Sequence, residues 1–378
     1  MRKWLIAGLL AFTATACAST PDPAHEPQPG PTIPGPGPQP STTPDLLYVC
    51  NQNDATVTLI DTKTNEVVGL VDLTTLGFSK NAKPHHIAVE PDGSHWYVTL
   101  IGENRIVKLD RSNRVVGQAT FETPGMLALH PTQDLLFVGR SMTAVNPPKR
   151  IGIIKRSDMR IEELDVLFPR PHAMVLDARD NAVYTASLAT NQVAAIDVAS
   201  ERVNVLEVGG KQHALMQFAL SPDGTRLAAS GELSHELLLF DVSQPLQPKL
   251  MRAWTVEAQP FDPVFTPDGR YVVVGNKAAN AISVVDLEKY DVDVLRGAGV
   301  VQPHGTAVSP DGRWIYVSNN NLNVPAGSGQ HAGHGAPAGG VQPLGPGTIV
   351  VIDAGSRQIT KVIEVGHNAS GIAVRTTR

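Results

Sequence analysis

The sequence predicts an all-β chain in which residues 46–378 close into a seven-bladed β-propeller. Two observations carry this expectation: one unit recurs along most of the chain, and the two chain ends hold complementary parts of one more unit. The clearest copy is QPHGTAVSPDGRWIYVSNN, Gln302–Asn320. Within it Thr306–Val308 begins a strand, Ser309-Pro310-Asp311-Gly312 turns the chain, and Trp314–Ser318 is a strand of β-branched and aromatic residues. Pro310 suits the first inner position of that turn, and Gly312 takes a backbone angle that a Cβ resists. Further copies are KPHHIAVEPDGSHWYVTL (83–100), RPHAMVLDARDNAVYTAS (170–187), MQFALSPDGTRLAAS (216–230) and QPFDPVFTPDGRYVVVGN (259–276), with a weaker one in TPGMLALHPTQDLLFVG (123–139). A spacing of roughly 40–47 residues is the period of a propeller blade rather than of a helical solenoid.

Counted from the inner strand, copies begin near Ile87, Leu127, Met174, Phe218, Pro263 and Thr306. A seventh inner strand, Gly371–Val374, stands at the C-terminus with no outer strands after it. The matching outer strands, Leu46–Val49, Thr56–Asp61 and Glu66–Val71, open the repeat region with no inner strand before them. Pairing the two ends gives a closed ring of seven blades and leaves no open edge in the ring. At 42% hydrophobic but only 5% aromatic residues, the packing must come mostly from Val, Ile, Leu and Ala.

Ahead of the repeats, residues 1–17 read as an export leader. Arg2 and Lys3 charge its start, Trp4–Thr13 is apolar, and Ala14-Thr15-Ala16 precedes Cys17. The apolar run is too short for a permanent membrane span. Residues 18–45 follow as a tether; ten of the 24 residues from Pro21 to Pro44 are proline, which favours extended polyproline structure. At about 3.1 Å per residue such a tether reaches roughly 80 Å. Only Cys50 remains beyond the leader, so no intramolecular disulfide framework exists. Losing Arg2 and Lys3 with the leader moves the net charge from −5 to −7, and no basic patch is present. Nucleic acid is therefore not an expected partner.

LLYVCNQNDATVTLIDTKTNEVVGLVDL, WIYVSNNN and GTIVVIDAGSRQITKVIEVG resemble the repeat of the YVTN family of β-propeller proteins, over residues 46–378. Ala-Thr-Ala-Cys resembles the lipobox of bacterial lipoproteins, with Ala14 where the usual Leu stands. That resemblance implies acylation of Cys17 and, since Ala18 is not Asp, an outer-membrane anchor facing periplasm or cell surface. The YVTN resemblance is specific for fold and weak for function, because the family includes surface-layer proteins, binding modules and enzymes.

Two blades carry insertions between their second and third strands, 141–150 in blade three and 321–347 in blade seven. The second contains HAGHGAPAGG and is too rich in Gly, Pro and Ala to pack alone. Those loops and the entries to the inner strands are expected at one face of the ring. Three histidines, His85, His172 and His304, fall two residues before their inner strands, in blades two, four and seven. His213 and His367 fall at minus five in blades five and one, and His86 adjoins His85. Blades three and six place Gly125 and Phe261 at minus two instead. Neutral imidazole is a common ligand for copper, zinc and iron, so His85, His172 and His304 are candidate metal ligands. His331 and His334 lie in the second insertion, His95 and His130 are expected at the opposite face, and His235 is expected to face solvent.

Asn51, Arg140, Glu232, Lys277, Asn319 and Asn320 follow second strands at the same mouth, where mixed charge suits a polar ligand. Aspartates ending third strands (Asp61, Asp110, Asp197, Asp241, Asp286, Asp353) read as turn chemistry. No nucleophile elbow, Walker loop or zinc-finger cysteine pairing is present. Two function classes stay open. One is a lipid-anchored, monomeric binding or scaffold module for an envelope protein or a small polar ligand. The other is an oxidoreductase holding copper or another transition metal on the same histidines, similar to nitrous oxide reductase in architecture only. A lactonase- or lyase-like hydrolase has no recognisable pairing of carboxylate and base. If Cys17 carries the lipid, Cys17→Ser should move the protein from the membrane to the soluble fraction on fractionation, with an unchanged circular dichroism spectrum. Membrane association that survives the substitution would point to another anchor.

Overall fold

The computed structural model describes residues 45–179, 181–323 and 342–375. The leader, Cys17, nearly all of the tether, His331 and His334 lie outside these residues. Each copy of the repeat is a four-stranded antiparallel sheet, and there are seven of them. Blade two shows the plan, with Pro84–Val89 innermost, then His95–Leu100, Arg105–Asp110 and Val115–Thr120 outward. Each inner strand lies beside the inner strand of the next blade all the way round.

Closure follows the expected seam. Ala369–Val374 pairs antiparallel with Leu46–Asn51, matching Leu47 with Val374 and Val49 with Ile372. The closing strand is longer than Gly371–Val374, because the bulge that all the inner strands share lets Ala369 reach Asn51. At the same junction the Tyr316 hydroxyl of blade seven donates to Asn65 Oδ1 of blade one at 2.7 Å. Lys361 Nζ donates to the Asn65 carbonyl at 2.7 Å.

Seven apolar clusters hold the ring, one at each junction between neighbouring blades. Second strands such as Tyr271–Asn276 are buried along their whole length, whereas the outer strand Glu66–Asp72 exposes Val67, Val68 and Leu70. That gradient is what stacked sheets with one solvent edge require. Cys50 is buried, and burial pushes its thiol well above the usual range, as for an inert core cysteine.

The turns behave as their residues dictate. Gly93, Gly224, Gly269 and Gly312 have φ of 65°, 61°, 68° and 73°. Asp61, Asp241 and Asp353 Oδ1 accept from the backbone N–H groups of Lys63, Ser243 and Ser356 at 2.7, 2.8 and 2.8 Å.

A second corner, at the other end of each inner strand, has no such sequence marker. Lys83, Thr123, Arg170, Ala214, Gln259, Gln302 and Asn368 all take left-handed φ between 48° and 58°. Each carbonyl accepts the N–H of the residue after its blade's second strand: Ile101, Ser141, Leu188, Glu232, Lys277, Asn320 and Gln52 respectively. The inner strand then bulges before regular pairing resumes. This corner aims the two residues before each inner strand's regular run at the channel mouth. The long insertion of blade seven is anchored at its base, where Leu322–Asn323 pairs with Gln342–Pro343 and Leu322 is buried.

Closure also depends on a glycine at the seam. A Cβ on Gly371 would stand 2.1 Å from the His85 carbonyl oxygen, a backbone atom that cannot swing away. Gly371→Ala should therefore cost about 2–3 kcal/mol. The measurement is urea unfolding, with a lower midpoint expected at similar slope; wild-type stability in this variant would mean the closing strand is seated otherwise.

Candidate functional site

Register sets the origin of the inner strands at Ile87, Leu127, Met174, Phe218, Pro263, Thr306 and Ile372. The residues at minus two are then His85, Gly125, His172, Met216, Phe261, His304 and Ser370. His85, His172 and His304 are buried, as expected of side chains turned into the mouth. The rings of His85 and His304 meet edge to face, with centroids 5.9 Å apart and planes at 80°. Blade one, between their blades, holds the small Ser370 and Gly371, which leave room for this approach. His304 also packs on Phe261, centroid to centroid 4.9 Å.

Gln52 fixes the His85 ring. Its amide Nε2 lies 2.9 Å from His85 Nδ1 and can only donate, so the ring proton stays on Nε2. His172 has the opposite arrangement, with Nδ1 2.7 Å from the Arg140 carbonyl, which can only accept. Burial first, and then the neighbouring charges of His172, His86 and Lys277, hold His85 well below the usual imidazole range. Burial, then Lys277 and the other histidines, do the same to His304. Burial and His172 bring His86 down to about 4.

Glu232, Lys277 and Asp262 complete the cluster. Lys277 Nζ lies 4.8 Å from the Phe261 ring centroid. Burial lowers Lys277 to about 8, against the opposing pull of Glu232 and Asp262. Burial raises Asp262 and Glu232 to about 7 each, with Lys277 acting in the other direction. An apolar wall of Met142, Leu188, Met216 and Phe261 from blades three to six adjoins them. A buried amine and two buried carboxyls that change charge near neutrality, beside imidazoles held neutral, are unusual in a purely structural element and mark a candidate site.

Other expected members are placed elsewhere. His213 spends both ring nitrogens locally, Nδ1 at 3.0 Å from Ser234 Oγ and Nε2 at 3.1 Å from the Gly209 carbonyl. His367 sits on the rim, 43% exposed, against Asp54. Arg140 turns between blades two and three, stacked 4.2 Å over the Phe121 ring with Glu122 and Glu163 as partners. Asn319 is a blade corner, donating to the Val317 carbonyl at 3.0 Å. Asn51 and Asn276, at the same repeat position, likewise bond within their own blades, and Asn320 donates to the Ala369 carbonyl across the junction with blade one. His130 is buried rather than superficial, its Nδ1 accepting from the Gln133 N–H at 3.0 Å. His235 is half-buried and accepts from the Gln259 N–H at 3.1 Å. Among the described residues no three His, Cys, Asp or Glu side chains are grouped so as to hold a metal ion. Asp262 and Gln52 carry no repeat signature of their own; each adjoins a residue at a marked repeat position, Phe261 and Asn51, and that adjacency is their signal in the sequence.

No family model matches the chain, and no curated protein matches it. Among solved structures it is similar to the crystal structure of a functionally unknown protein from Desulfotomaculum acetoxidans DSM 771. That likeness has a TM-score of 0.67 at 13% identity, over 88% of this chain and 99% of the other. At that identity the likeness supports the fold alone.

His86 offers a test of the mouth's electrostatics. Its Nδ1 accepts the Leu127 N–H of the next blade at 3.2 Å, which requires a neutral ring. Gln217, at the same repeat position in blade five, shows that an amide there can also pair across a junction, accepting the Met174 N–H of the preceding blade at 2.8 Å. Because His86 is held at about 4, below its unfolded value near 6.5, the unfolded chain takes up the proton first as the medium acidifies. Its contribution is full above about 6.5 and is lost as pH falls toward 4. His86→Gln should match wild type at pH 7.5 and lose less stability between pH 6.5 and 4 in urea titrations. An unchanged acid slope would show that His86 does not contribute to the acid sensitivity.

Proposed function

We propose that the protein is an exported, lipid-anchored propeller of the YVTN-repeat type that binds a small polar ligand at the histidine-bearing mouth of its channel. On this reading Cys17 fixes the chain to the outer membrane and the proline-rich tether holds the propeller clear of the lipid surface. The observation that carries the binding function is the burial of His85, His304, Lys277, Glu232 and Asp262 together at one mouth. Burying ionisable groups costs free energy that a purely structural corner avoids with residues such as Ser370 or Met216. Neutral imidazoles and carboxyls that titrate near 7 can donate and accept hydrogen bonds to one ligand at once. The wall of Met142, Leu188, Met216 and Phe261 suits an apolar part of that ligand.

The test is a thermal-shift screen of small organic acids, amines, amino acids and sugars, followed by calorimetric titration of any hit. Binding should weaken at least about tenfold in Lys277→Met and in His304→Phe, as expected when a buried polar partner is removed. His95→Ala, on the opposite face, should leave it unchanged. Hits that bind all three variants equally would locate the ligand site elsewhere.

A further inference from the structure

Lys277 differs from every other described lysine. It is the only one that is buried, retaining 8% of its surface. The rest are exposed or half-exposed, and Lys211 and Lys361 face Glu236 and Glu66 at the surface. Its position is set by the backbone: the Lys277 N–H donates to the Gln259 carbonyl at 2.8 Å, part of the sevenfold corner. From there the side chain crosses the Phe261 ring. His304 packs on that ring as well. Glu232 holds the position of Lys277 in the preceding blade, and Asp262 follows Phe261 directly.

We propose that Lys277 captures a small aldehyde or ketone as a Schiff base, with Glu232 and Asp262 moving the protons. This rests on the reading of the same mouth as a ligand site and names its ligand class. The unprotonated amine adds to the carbonyl carbon to give a carbinolamine. A carboxyl group then protonates the departing hydroxyl, which leaves as water while the nitrogen lone pair closes the imine bond. The sum is amine plus carbonyl giving imine plus water, with no oxidant or reductant.

The surroundings suit each step. With Lys277 lowered to about 8, about one amine in ten is unprotonated at pH 7, against about one in three thousand for an exposed lysine. Desolvation beside an aromatic ring is a recognised way to make such an amine nucleophilic. Carboxyls at about 7 are present in both acid and base forms at neutral pH, the condition general acid–base catalysis favours. The adjoining apolar wall disfavours water, a product of the condensation.

The experiment incubates the full-length protein with glyoxylate and sodium cyanoborohydride at pH 7 and maps carboxymethyl-lysine by mass spectrometry of peptides. Lys277 should be modified at least about tenfold faster than any exposed lysine, with a rate that rises through pH 8 rather than pH 10. Denaturation in urea should erase the preference. Glu232→Gln and Asp262→Asn should each slow labelling by about a hundredfold, the lower end of what one proton-transfer group contributes. If Lys277 reacts no faster than surface lysines while a screened ligand still stabilises the wild type, the Schiff-base proposal fails and the binding function stands. If neither labelling nor ligand stabilisation occurs, both fail.

Discussion

Pairing of Ala369–Val374 with Leu46–Asn51 holds the ring shut, and the remaining geometry depends on it. Each blade packs on two neighbours, so a ring of such sheets has no stable open form that keeps every junction buried. Opening at one seam would expose the cluster shared by Leu47, Val49, Ile60, Tyr316 and Ile349, and with it two sheet faces. The seam is also where the candidate site is tightest. Gly371 lies against the His85 carbonyl, and Gly305 lies against the Ser370 carbonyl, so backbone closure and imidazole placement are one constraint.

The mouth is built from a repeated strain. Seven non-glycine residues hold left-handed angles so that seven carbonyls can receive seven N–H groups. A left-handed L-residue costs about 1–2 kcal/mol, which a well-formed hydrogen bond and the packing beyond it can offset. The same corner repeats whatever side chains follow it. It therefore works as a socket: Gly125 and Ser370 leave space, Met216 and Phe261 make an apolar wall, and His85, His172 and His304 bring imidazoles. Function can vary at these positions while the backbone stays constant, as sites grafted on shared folds generally do.

Chemically, the cluster joins groups whose burial brings acids and bases toward one another. Lys277 falls to about 8 while Glu232 and Asp262 rise to about 7, so all three can exchange protons in the same pH range. In water those groups would differ by six units or so and could not share a proton readily. The low-dielectric mouth narrows the gap, and this links packing to reactivity.

The sequence by itself determined the blade number, the closing seam, the Pro-Asp-Gly turns and the aspartate turns, because each is written locally in residues with strong backbone preferences. It also placed His85, His172 and His304 at one repeat position and picked out Glu232 and Lys277. Tertiary structure alone decided which of these meet. His213 and His367 share a repeat position, yet one is consumed by Ser234 and Gly209 and the other faces solvent beside Asp54. Arg140 turns away from the mouth, because Phe121 offers its guanidinium a face between two blades. Asp262 enters the cluster through a bulge that no local pattern announces, and its acidity depends on burial contributed by several blades. Repeat position fixes where a backbone goes; which way a side chain turns, and how its protons behave, depends on neighbours that sequence spacing does not name.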